Sequence, residues 1–157
     1  MSQILDLKTL NALLNLPHEN EWIEFKEAKI QENFDEIGKY FSMISNEASF
    51  RDKEFGWLVF GVSDKIKDGN QREIIGTKYR EGTIDELKPK IKKQTNNLTF
   101  IEIYENYVDG RRIVCFKIPP AFNGTPTTWN GVAYGREDDA RELLSAYKFN
   151  KILDSNK

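Results

Sequence analysis

Glu19, Glu24 and Asp64 are the side chains of this sequence best suited to act together. Three carboxylates at one point form a hard oxygen donor set of the kind magnesium or manganese takes, and an ion held there orients water and neutralises charge on a scissile phosphate. Glu19 and Glu24 are five residues apart in Glu19-Asn-Glu-Trp-Ile-Glu24-Phe-Lys26, so in one unbroken strand they would face opposite ways. Their convergence requires a turn or bulge near Asn20. Asp64 closes the apolar run Trp57-Leu-Val-Phe-Gly-Val62 after Ser63, where it is either a third ligand or a residue that opens the loop 65–70 by bonding nearby backbone. Lys26 shares a strand face with Glu24 and either contacts phosphate or forms a surface ion pair with it.

Phosphate contacts would come from Lys88, Lys90, Lys92 and Lys93, with Lys78 and Arg80 upstream and Arg111-Arg112 on a hairpin. The alternative is a solvated helix face, since Asp85 and Glu86 lie beside the lysines. Tyr104, Tyr107 and Trp129 can stack on unpaired bases or pack within a sheet. Other chemistries have little to build on. There is no Gly-x-x-x-x-Gly-Lys-Ser/Thr loop to wrap a nucleotide's phosphates. His18 is the single histidine, and Cys115 alternates within a strand pattern with no base beside it.

The chain has 157 residues, enough for one domain with a core and few for two. One cysteine excludes an intrachain disulfide and a cysteine cluster for zinc, and no window is apolar enough for a membrane helix. With no secretory signal pattern at the start, a cytoplasmic location is expected. The formal charge of -2 offers no general attraction to nucleic acid, so any such binding needs a local basic face.

The elements that must position these residues can be read from periodicity and punctuation. Residues 1–17 form an amphipathic helical arm ended by Leu16-Pro17, and a strand follows at 22–26, with Ile23 and Phe25 on one face and Glu24 and Lys26 on the other. Asn33 or Asp35 caps a helix to about Ala48. The run 57–62, apolar nearly throughout, is a central strand. A short strand at 73–76 precedes a helix from Thr83 to about Thr95, with Glu86 completing a capping box and Pro89 demanding a bend or a later start. Asp109-Gly110 joins residues 98–108 and 111–118 into a hairpin, and Asn130-Gly131 precedes a strand at 132–134. A last helix is expected over 139–153, with 154–157 as a tail or the start of a linker. Hairpins mixed with a few helices predict an α+β fold, a mostly antiparallel mixed sheet with flanking helices.

Glu19-x-x-x-x-Glu24-Phe-Lys26, the helix ending Phe41-Ser-Met-Ile-Ser-Asn46, the strand Gly56-Trp-Leu-Val-Phe-Gly-Val-Ser-Asp64 and the closing Thr125-Pro-Thr-Thr-Trp-Asn-Gly-Val-Ala-Tyr-Gly-Arg136 resemble, in that order, the Schlafen AlbA-type domain. The resemblance implies a domain over residues 18–153 that binds nucleic acid, DNA above all, as the amino-terminal part of a bacterial transcriptional regulator. It also brings Arg136 among the nucleic-acid-binding residues. A second implication is a metal-dependent endoribonuclease acting on structured RNA such as tRNA, with Glu19, Glu24 and Asp64 as catalytic, magnesium- or manganese-binding acids. A third reading, independent of the resemblance, is a protein-interaction module in which residues 1–17 mediate self-association.

Overall fold

Gly56–Phe60 (β2) is buried at every position, as an apolar run without alternation predicts for a strand covered on both faces. In the structure, a computed structural model that describes residues 2–16, 20–66 and 72–155, β2 lies inside a four-stranded sheet. Its parallel neighbour is Ile23–Lys26 (β1), and on its other side Arg111–Ile118 (β6) and then Glu102–Val108 (β5) run antiparallel. Asp109 and Gly110 take φ values of +52° and +77° between the last two strands, the left-handed pair that a two-residue hairpin turn requires.

Both sheet faces are covered from within the chain. Phe34–Phe50 (α2), capped by the Asn33 side chain, packs Ile37, Phe41 and Ile44 on Leu58, Phe60, Val114 and Phe116. On the opposite face Leu7–Leu14 (α1) sets Leu10, Leu13 and Leu14 over Trp57, Val59, Ile113 and Cys115. The helix is shorter than the expected arm because Asp6 caps it, and Gln3 pairs with Tyr104 along the β5 edge. Three of its leucines are buried on its own sheet, while Ile4 and Leu7 remain exposed. Among the described residues no helix is long and apolar enough to cross a membrane.

Three elements differ from expectation. The central run breaks at Gly61, whose φ of +97° and approach to the Arg112 carbonyl, 2.7 Å from where a Cβ would sit, exclude a side chain. The chain turns there into Val62–Ile66 (β3), which pairs with Arg72–Ile74 (β4), so Asp64 lies within a strand and not past the end of one. Thr83 makes no side-chain cap. A 3-10 turn, Ile84–Glu86, leads into Leu87–Gln94 (α3), which makes Pro89 a first-turn residue with no backbone bond to lose.

The closing segment is a ribbon of Thr128–Trp129 (β7), Val132–Glu137 (β8) and Ala140–Leu143 (β9), followed by Ala146–Asp154 (α4). The expected helix from 139 is thereby corrected. Asp138 and Asp139, at φ +51° and +64°, make a tight turn, and Ser145 caps the helix only beyond it. Asn46 fastens the ribbon to α2: its amide donates to the carbonyls of Thr127 and Tyr134, both at 2.9 Å, and accepts from Thr127 N–H at 2.7 Å.

Candidate nucleic-acid interface

Strand alternation turns Glu24 and Lys26 toward the α2 side of the sheet and Ile23 and Phe25 toward α1. Glu24 is nevertheless buried, because Arg136 at the end of β8 reaches it at 2.7 Å. Beside this pair Glu47, wholly enclosed in α2, accepts from Lys148 Nζ of α4 at 2.9 and 3.1 Å and from the Arg136 backbone N–H at 3.0 Å. Lys148 also donates to the Arg136 carbonyl at 2.7 Å. Four elements thus meet in two buried ion pairs. Neither Glu47 nor Lys148 was marked by the sequence, where each reads as an ordinary charged position on a helix.

Glu24, Phe25, Lys26, Glu27 and Asp64 line one cavity of about 200 Å³. The fold therefore brings Glu24 and Asp64 together, while Glu19 lies outside the described residues. Among the described residues no three His, Cys, Asp or Glu side chains gather as ion ligands. Glu27 is the third carboxylate on the wall of this cavity, and Glu24 is balanced there by the Arg136 guanidinium. Lys26 stands over the Tyr40 ring at 4.7 Å. Burial pulls its ammonium down, but the Tyr40 hydrogen bond, with Tyr40, Glu24 and Glu32 charges, outweighs that and leaves its pKa raised.

Past Glu27 the surface opens into a groove of about 370 Å³ at the end of the sheet, lined by Lys29, Ile30, Lys78, Glu81, Tyr107 and Arg111 with Arg112 beneath. An adjoining cavity lined by Glu27, Lys29, Glu73 and Arg111 links it to the Glu24–Asp64 end. Backbone bonds hold the walls: Lys78 N–H donates to Lys29 O at 2.8 Å, Thr77 N–H to Arg112 O at 2.9 Å, and the Thr77 hydroxyl to Ala28 O. Arg112, 3 % exposed, is fixed by Glu105 at 2.6 Å and by the carbonyls of Tyr79 and Thr77 at 2.8 and 3.2 Å. Its Nη2 has no hydrogen-bond partner among the described residues. Arg112 is thus a fixed charge under the groove and no exposed arm for phosphate. Lys29, which the sequence did not single out, enters only because the loop after β1 folds against the β4–α3 connection.

The remaining basic residues are dispersed. Lys88 pairs with Glu102 at 3.0 Å, at the far end of β5 from Tyr107, and Lys90, Lys92 and Lys93 are exposed along α3. Arg80 sits in the turn before the 3-10 segment at φ +46°, and Arg136 is enclosed with Glu24. Among the aromatics, Trp129 is buried and donates to Asp35 at 2.7 Å, which holds that carboxyl below its usual range. Tyr104 packs on Trp57, the rings 5.9 Å apart. Tyr107 alone of the three is free, at 61 % exposure.

An open, mostly antiparallel sheet with four helices among the described residues defines an α+β domain. The chain belongs to the Schlafen, AlbA_2 family, whose model matches residues 19–145, and this makes it a nucleic-acid-related domain. No curated protein matches it. Among solved structures it is similar to the DIP2311 protein of Corynebacterium diphtheriae, with TM-score 0.61 and 17% identity, covering 96% of this chain and 28% of that one. It is also similar to the N-terminal domain of a protein from Nitrosomonas europaea described as related to the ATP-dependent DNA helicase RecG, with TM-score 0.51 and 21% identity, covering 90% and 93%. These likenesses establish the fold. The chain spans little more than a quarter of the C. diphtheriae protein.

Proposed function

We propose that the chain is a nucleic-acid-binding module, a DNA-binding domain of a transcriptional regulator, and that the groove at the end of the sheet is its contact surface. The observation that carries this is local charge. On a chain of net charge -2, Lys29, Lys78 and Arg111 gather around one groove whose lining carboxylate among the described residues is Glu81, with Lys29 also 3.8 Å from Glu27 and Arg112 below paired with Glu105. Low-dielectric walls concentrate such a field and raise the local concentration of a polyanion. Family membership and the helicase-related neighbour point the same way.

Phosphate neutralisation releases counterions, so affinity for duplex DNA should fall with salt at a log–log slope of roughly -2 to -3 for about three phosphate contacts. Lys78→Glu or Arg111→Glu should weaken binding and make that slope shallower by about 1. Binding that ignores salt, or no binding at low salt, would overturn the proposal.

The cavity shared by Glu24 and Asp64 favours one second reading, a metal-dependent endoribonuclease acting on structured RNA. Incubation of a tRNA pool with the protein and manganese separates the two. Cleavage abolished by Asp64→Asn in a variant that melts like the parent supports the second reading, and intact RNA at high protein concentration dismisses it.

A further inference from the structure

Beyond charge, the groove carries apolar surface. Tyr107, 61 % exposed, stands on β5 and Ile30, 67 % exposed, follows β1. Tyr107 belongs to the β5 edge of the sheet, and Ile30 to the loop that follows β1 at the other edge. The groove, about 370 Å³, is on the scale of a small-molecule pocket, so a single base fits within it while a duplex meets only its charged rim. A ring left exposed beside cations is a poor use of an aromatic unless something flat covers it, since each base offers a π-face and each nucleotide a phosphate. Duplex DNA stacks its bases on one another, which leaves none for Tyr107.

Resting on the proposed function, we infer that the groove is a subsite for an unpaired nucleotide, so that the domain prefers single-stranded or looped nucleic acid to a regular duplex. The base lies on Tyr107, and the adjoining phosphates meet Lys29, Lys78 and Arg111. Glu81, on the same turn as Lys78, repels phosphate and accepts hydrogen bonds, so it faces the base edge. Arg112, paired with Glu105, braces the groove floor, and the backbone bonds between the loops keep the walls in place before binding.

The test is fluorescence anisotropy of the whole chain with a labelled DNA strand of about ten nucleotides, the RNA of the same sequence, and the DNA duplex. Both single strands should bind more tightly than the duplex. Tyr107→Ala should lower single-strand affinity about tenfold, the equivalent of one base-stacking contact, and leave duplex affinity unchanged, whereas Tyr107→Phe should retain it. Tyr107 is exposed, so a thermal melt should show each variant folded as the parent. Equal affinity for duplex and single strands, or a Tyr107→Ala change within about twofold, overturns the subsite; the salt-dependent duplex binding and its loss in Lys78→Glu then still stand. No binding to any probe removes the proposed function and the subsite together.

Discussion

Arg136 and Glu24 meet at 2.7 Å where the residues are only 9 % and 8 % exposed, so each offsets the other's cost of leaving water. Removing one partner of such a pair is far costlier than removing both, because the survivor keeps its desolvation cost without compensation. Arg136→Met should therefore lower unfolding stability by about 3–5 kcal/mol, measured by urea titration, and adding Glu24→Gln should restore most of it. If the single variant is as stable as the parent, the pair is not structural. Glu24 was legible as a special residue from its position in β1, on the face opposite Ile23 and Phe25. That its partner is an arginine 112 positions away was not, because ion pairing over such a separation depends on how β8 crosses α2.

At the scale of elements, α1 is more than an appendage. Leu10, Leu13 and Leu14 close the sheet face over Cys115, whose thiol burial pushes up to about 12. A thiolate is the reactive form, so the intact chain should resist a thiol reagent at mildly alkaline pH. Deleting residues 1–16 should remove about 1.5–3 kcal/mol of burial per leucine, lower the melting temperature and render Cys115 reactive. An unreactive thiol in the truncated protein would show that α1 does not seal this face. The amphipathic pattern of this segment was readable in the sequence; its destination was not, since an apolar stripe fits a second copy as well as its own sheet. The β9 strand was missed for a related reason. Leucines at 143 and 144 suit a helix, and only the consecutive left-handed aspartates at 138 and 139 turn that stretch into a hairpin.

For the molecule as a whole, the question is which cations act as one surface. Lys88, Lys90, Lys92 and Lys93 are adjacent in sequence, yet α3 carries them beside the Glu102 end of β5 while Tyr107, Lys78 and Arg111 belong to the opposite end. In the same anisotropy titration, replacing Lys90, Lys92 and Lys93 together with glutamate should leave the salt slope within about 0.5 of the parent, well short of the change of about 1 expected from Lys78→Glu alone. A larger loss from α3 would move the interface there. Sequence alone determined the α+β class, the central strand, the two Gly-containing hairpin turns and the family, because these rest on local periodicity, turn chemistry and motif order. Tertiary structure alone decided that Glu24 is neutralised by Arg136, that Arg112 is buried and Tyr107 bare, and that Lys29 joins Lys78. Burial, pairing and shared cavities depend on which distant segments touch, and that is set by packing across the sheet.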